Sequence, residues 1–225
     1  MFSLSKIIII SVLTVIGGIL IINMKTTIRV YYILLSPLIR GIVKLKIGAN
    51  WLTMFGLVLG ILSGFLFAYN YLLYAGIVLL VSGICDTIDG SVARMSGKKS
   101  PFGKVLDSVV DRYSELPNYI GLSFFYATQG MWLYFLLGQM CIVGAVIVSY
   151  TRARAESIGI DCRVGIAERH ARITALIVGS IAGWLFSAGW YMQVVLWLIA
   201  VFSNITALQR IYFVWRTLKL RNSYA

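Results

Sequence analysis

The sequence predicts an all-α integral membrane protein: a six-helix transmembrane core with an N-terminal interfacial helix and one extra N-terminal transmembrane helix. Three observations carry that expectation. Of 225 residues, 60% are hydrophobic and only 12% are charged, about half the charged share of an average soluble domain. Three uncharged runs, Ile47 to Cys85, Leu116 to Thr151 and Ile173 to Gln209, are 39, 36 and 37 residues long. One crossing needs about 20 residues, so each run has the length of a two-span hairpin. Finally, all eight acids and every Lys and Arg after Lys6 lie outside these runs, which gathers the charged segments on one side of the membrane.

The elements follow in chain order. After Lys6, Ile7 to Met24 is uncharged and just long enough to span. It lacks the small-x-small cleavage site of a signal peptide, so residues 1–24 read as an extra helix ahead of a membrane domain over 25–225. In residues 26–46, Arg29, Arg40, Lys44 and Lys46 alternate with aliphatic and aromatic residues, and Pro37 interrupts the middle. That pattern suits a helix lying along the interface, kinked at the proline, with a topology-fixing charged linker as the alternative.

The hairpins then turn at their midpoints, at Ala68-Tyr-Asn-Tyr71, Ala127-Thr-Gln-Gly130 and Ser187-Ala-Gly-Trp190. Gly60, Gly64 and Gly76 permit close helix packing. The formal charge of +12 then assigns the charged side to the cytoplasm and points to anionic membrane lipids, with no nucleic-acid partner. Three cysteines form neither a disulfide framework nor a zinc motif. Cys85 and Cys141 read as small core residues.

Four of the eight acids fall in one stretch, as Asp86, Asp89, Asp107 and Asp111. Spacings of i,i+3 and i,i+4 put each pair on one helix face. The first pair ends the second core span and the second begins the third, so two neighbouring helices converge four carboxylates at the membrane edge. Such groups are costly in a membrane unless they are paired, hydrated or metal-bound. Hard oxygen ligands without His or Cys select Mg²⁺, Mn²⁺ or Ca²⁺ over zinc. Gly90 opens space beside Asp89, and Arg94, Lys98, Lys99 and Lys104 follow. Acids for cations and bases for the remaining negative charge describe a polyphosphate site. Plain salt bridges at helix ends, such as Asp111 with Arg112, are the simpler alternative.

These positions match D-x2-D-G-x2-A-R-x8-G-x3-D-x3-D without gap or substitution, at Asp86, Asp89, Gly90, Ala93, Arg94, Gly103, Asp107 and Asp111. The motif resembles the signature of the CDP-alcohol phosphotransferases, and the likeness covers most of residues 26–216. The resemblance implies an enzyme that binds CDP-diacylglycerol or an archaeal CDP-lipid. An acceptor hydroxyl attacks the lipid-side phosphate and CMP leaves. It implies two Mg²⁺ ions, or Mn²⁺ in their place, on Asp86, Asp89 and Asp107. Asp111 would be the catalytic base, with a further contact to metal. Gly90, Ala93, Arg94 and Ser100 would line the CDP-lipid pocket. Asn50-Trp51-Leu52-Thr53 resembles the family's Asn-x-x-Thr, although Ala49 stands where the family commonly has proline. The family also implies a homodimer in the cytoplasmic membrane, its active site facing the cytoplasm.

Arg152, Arg154, Arg163, Arg169 and Arg172 gather near the ends of the fourth and fifth spans. Five arginines there make a seat for a phosphorylated polyol, with topology determination as the simpler reading. Arg-Ala-Arg-Ala-Glu156 followed by Gly165-x-x-Glu-Arg169 looks like the phosphatidylinositol phosphate synthases of the family, which implies inositol phosphate as acceptor. A phosphatidylglycerophosphate synthase using glycerol phosphate is the nearest alternative. A divalent-cation transporter is the alternative outside enzymes, yet the far halves of the hairpins carry no charge along which an ion could pass. His170, the lone histidine, reads as an interfacial or phosphate-neighbouring residue. Arg210, Arg216, Lys219 and Arg221 read as a solvated C-terminal end.

Overall fold

The computed structural model describes residues 36–37, 39, 41–45, 48–96 and 100–223. The extra helix expected over 1–24 lies outside these residues, as do Arg29, Arg40 and Lys46 of the interfacial segment and Lys98 and Lys99. Among the described residues six long helices follow one another: α1 (Ala49–Ala68), α2 (Leu72–Met95), α3 (Pro101–Thr128), α4 (Trp132–Ser157), α5 (Arg169–Leu185) and α6 (Trp190–Ser223). Four of them, α1, α2, α4 and α6, are long and apolar enough to cross a membrane. α3 carries Lys104, Asp107, Asp111, Arg112 and Glu115 in its first half, and α5 has only 17 residues.

The hairpin turns fall where the uncharged runs predicted them. α1 and α2 are joined at Tyr69 to Tyr71, α3 and α4 at Gln129 to Met131, and α5 and α6 at Phe186 to Gly189. Asn70 and Gly130 sit in the left-handed region at φ 60° and 69°, which Asn and Gly tolerate best. The helices close into a ring in which α1 packs on α2 and α3, α2 on α5, α5 on α6, α6 on α4 and α4 on α3.

The distribution of side chains explains how the ring suits lipid. α1 turns Thr53, Gly56, Gly60, Ser63, Gly64 and Phe67 inward, while Phe55, Val58, Leu62 and Phe65 are exposed on its outside. Small residues let backbones approach, and large apolar ones face the hydrocarbon. A Cβ on Gly60 would lie 2.6 Å from Ser114 Cβ of α3, so that helix pair is set by the absence of a side chain.

All six helices feed one core through Phe67, Leu79, Tyr119, Cys141, Leu176 and Leu196, among others. A second cluster joins Ile39 to Ile88 and Val92 of α2, with Leu52 of α1 against it. The described end of the interfacial segment is thereby docked on the helix that carries Asp86 and Asp89. The three cysteines are free and buried.

Candidate active site

The charged ends of the helices meet at one end of the ring. α2 delivers Asp86 and Asp89 from one face of its last three turns, and α3 delivers Asp107 and Asp111 from its first three. Ser100 starts α3 cleanly, because its Oγ accepts from Gly103 N at 2.9 Å while Pro101 occupies the first turn. That is a serine N-cap followed by the one residue whose missing N–H costs nothing there.

One carboxylate oxygen from each of Asp86, Asp89 and Asp107 lies within 4.8 Å of the others. Three hard oxygen donors at that separation, with no His or Cys among them, fit a small divalent cation. Asp89 is buried and is oriented by α1, since Thr53 Oγ1 donates to Asp89 Oδ2 at 2.6 Å.

Asp111 stands beside the triad in a different setting. Arg169, the first residue of α5, reaches over with Nη1 2.9 Å from Asp86 Oδ2 and 2.8 Å from Asp111 Oδ1. Arg112 Nη1 lies 3.4 Å from the other oxygen of Asp111. Asp111 is therefore close enough to the triad to act on a group held there, yet is engaged chiefly by arginines.

These residues line a cavity of about 400 Å³, together with Gly90, Arg94, Arg152, Glu168, His170 and Arg210. Five carboxylates (Asp86, Asp89, Asp107, Asp111, Glu168) face five guanidinium groups (Arg94, Arg112, Arg152, Arg169, Arg210). Among the described residues the wall carries no surplus positive charge for a polyphosphate, and cations bound at the triad would supply it.

Residues 46–205 match the CDP-alcohol phosphatidyltransferase family. The chain belongs to that family. An archaetidylinositol phosphate synthase of Methanothermobacter thermautotrophicus is 36% identical over 176 residues, covering 78% of this chain and 87% of that one. A phosphatidylinositol phosphate synthase of Mycobacteroides abscessus is 27% identical, with coverage of 79% and 81%. Among solved structures, Mycobacterium tuberculosis phosphatidylinositol phosphate synthase with CDP-DAG bound superposes with a TM-score of 0.73 at 29% identity. That match covers 80% of this chain and 92% of the other. The same enzyme in complex with manganese and citrate gives a TM-score of 0.70 at 27% identity, covering 80% and 88%.

The protein is thus a membrane phosphatidyltransferase that depends on a divalent metal, and the transporter alternative falls. Within the transferase, the residues expected to bind CDP-lipid divide into two groups. Gly90 and Arg94 line the cavity, and Arg94 Nη2 donates to Ser91 Oγ at 2.9 Å. Thr53 touches Asp89, while Asn50, Trp51, Leu52, Ala93 and Ser100 do not line that cavity. Trp51 is 77% exposed, and Ser100 spends its hydroxyl on the helix cap.

The arginines divide as well. Arg152 and Arg169 line the cavity, and Arg163 lines a neighbouring one of about 890 Å³ that shares Asp111, Arg112, Ser149 and Arg152 with the first. Arg154 is exposed and lines neither.

Two arginines differ from expectation. Arg172 is not part of the cluster facing the aspartates. It is buried and donates from Nε and Nη2 to both oxygens of Glu115, at 2.6 and 2.8 Å. Arg210 is not solvated, being 2% exposed. Its Nε and Nη1 each donate at 2.8 Å, to Val164 O and Val148 O. It pins the α4–α5 loop, helped by Thr206 Oγ1, which accepts from the N–H groups of Ile166 and Ala167. Glu168 and Arg169 follow directly, so α6 aims the start of α5 at the aspartates. In the sequence Arg172 lies one turn beyond Arg169 and Arg210 directly follows an uncharged run, and neither position distinguishes a buried acceptor from water.

Proposed function

We propose that this transferase is a phosphatidylinositol phosphate synthase. It moves the phosphatidyl group of a CDP-lipid to a hydroxyl of inositol phosphate and releases CMP. The observation that carries the reading is the cavity that Asp111 lines together with the three-aspartate cluster and the arginines Arg152 and Arg169. The two relatives described above, both inositol phosphate lipid synthases, support the choice of acceptor.

In this reading Asp86, Asp89 and Asp107 hold two Mg²⁺ ions, with Asp111 in contact with the second. The ions would neutralise the diphosphate and stabilise the departing CMP. Thr53 keeps Asp89 turned toward the site. Gly90 gives the nucleotide room beside the backbone, and Arg94 takes remaining phosphate charge. Ala93, Ser100 and residues 50–52 would meet the CDP-lipid outside that cavity. Arg152, Arg163 and Arg169 seat the acceptor phosphate, with Arg154 as an outer cation. Asp111 accepts the hydroxyl proton as the new O–P bond forms and the bond to CMP breaks.

The membrane domain, residues 25–225, would cross the bilayer six times as a homodimer, with the site facing the cytoplasm and residues 1–24 adding a further span. α3 and α5 would cross as partners of the four clearly apolar helices, their charged turns standing at the cytoplasmic surface.

The test is CMP release by purified protein with Mg²⁺ and either CDP-diacylglycerol or CDP-archaeol. Inositol phosphate, glycerol phosphate and free inositol are compared as acceptors. Release with inositol phosphate alone is expected, and EDTA abolishes it. A preference for glycerol phosphate would keep the mechanism and overturn the acceptor.

A further inference from the structure

Asp86 belongs to two arrangements at once. Its carboxylate is a member of the three-aspartate cluster, and its Oδ2 accepts from Arg169 Nη1 at 2.9 Å. A divalent cation and a guanidinium cannot both lie against that carboxylate cheaply, because like charges a few ångströms apart repel strongly in a partly buried site. Arg169 also has little else to hold it. Its Nη2 makes only a 3.3 Å contact to Ser114 Oγ, and its Nε is buried without an acceptor among the described residues. A buried donor left unmade is an expense that a new partner relieves. The same cavity wall carries Arg152, so a phosphate anion entering there meets Arg169 once it has left the aspartates.

We infer that Arg169 is a cation-displaced latch. It serves as counter-ion to Asp86 and Asp111, yields them when a divalent cation binds, and then takes the phosphate of the acceptor. The inference rests on the acceptor reading proposed above and adds an order to it. Acceptor binds well only after metal, which keeps the hydroxyl from docking in a site that lacks its electrostatic machinery.

The experiment uses full-length protein in detergent, without CDP-lipid. Mn²⁺ affinity is read by electron paramagnetic resonance and inositol phosphate affinity by calorimetry, with and without Mn²⁺. Wild type is compared with Arg169→Met, Arg169→Lys and the distant, exposed Arg216→Met. Arg169→Met should bind Mn²⁺ on the order of tenfold more tightly, since one positive charge has been removed from beside the ligands. Arg216→Met should match wild type. Wild type should bind inositol phosphate several-fold better with Mn²⁺ than without, and Arg169→Met should lose that gain. Arg169→Lys, which keeps the charge, should stay near wild type in Mn²⁺ affinity and so separates the charge effect from misfolding.

Unchanged or weaker Mn²⁺ binding by Arg169→Met would overturn the latch, as would acceptor binding by wild type that ignores Mn²⁺. Tighter Mn²⁺ binding by Arg169→Met, with no inositol phosphate bound by wild type under any condition, would uphold the competition and sink the proposed acceptor instead.

Discussion

Two arginine–carboxylate pairs join the same two helices one turn apart, and they are built to opposite specifications. In the first, Arg172 and Glu115 are 1% and 2% exposed. Both carboxylate oxygens are used, Tyr119 Oη adds a 3.0 Å bond to Glu115 Oε1, and Arg172 Nη1 donates to Ala167 O at 2.7 Å. In the second, Arg169 and Asp111 are 17% and 18% exposed, Arg169 is shared with Asp86, and its Nε has no acceptor among the described residues. Glu115 is four residues after Asp111 and Arg172 three after Arg169, so the saturated pair sets the register of α3 against α5. The unsaturated pair then has a fixed place from which to exchange partners. A buried ion pair is worth most where all its hydrogen bonds are made, and a site group must keep some unmade.

Breaking the site side should cost turnover and little stability. Asp111→Asn keeps the shape of the side chain and removes its capacity to take a proton. CMP release is expected to fall by about a thousandfold, within the range for losing a general base. The unfolding midpoint and CDP-lipid binding should stay close to wild type. Loss of CDP-lipid binding by a variant that still binds Mn²⁺ would move Asp111 from base to substrate ligand.

Breaking the saturated side should do the reverse. Arg172→Met leaves Glu115 charged and buried without its partner, which typically costs about 3–5 kcal/mol. Urea or SDS unfolding of the detergent-solubilised protein should register that loss. Folded molecules should retain much of their acceptor KM, and the double variant Glu115→Met with Arg172→Met should recover much of the stability. A single variant as stable as wild type would mean that helix packing alone fixes the α3–α5 register.

The same contrast explains which parts could be seen in the sequence. The four aspartates were legible because their spacings are local: i,i+3 and i,i+4 within two helices fix a face without any knowledge of the fold. The hairpin turns were legible because an uncharged run twice the length of a span has to reverse near its middle. Arg172 and Arg210 were misread because a cation near a span end looks the same whether it meets water or a buried acceptor. Their partners are distant in the chain: Glu115 lies 57 residues from Arg172, and Val148 and Val164 lie 62 and 46 from Arg210. Thr53 presented a similar difficulty. Its motif placed it near substrate, whereas its hydroxyl is joined to Asp89, 36 residues away, by the packing of α1 on α2.

Thr53 also supplies the mildest test, because it lies between the two specifications and carries no charge. Its hydroxyl lies 2.6 Å from Asp89 Oδ2 and 3.1 Å from Ala49 O, so its single proton can turn to the acceptor within its own helix if the aspartate turns away. Thr53→Val keeps the branched shape and leaves every ion pair in place. Outer groups that orient a ligand carboxylate are commonly worth about 10- to 100-fold in metal affinity. The lower end is expected here, since a single neutral bond is lost. Mn²⁺ affinity should therefore weaken about tenfold, while saturating Mn²⁺ restores most of the CMP release and the unfolding midpoint hardly moves. Were the defect instead to persist at saturating Mn²⁺ as a raised KM for CDP-lipid, Thr53 would belong to the nucleotide pocket that its motif suggests. The hydrogen bond to Asp89 would then be a consequence of that placement and not its purpose.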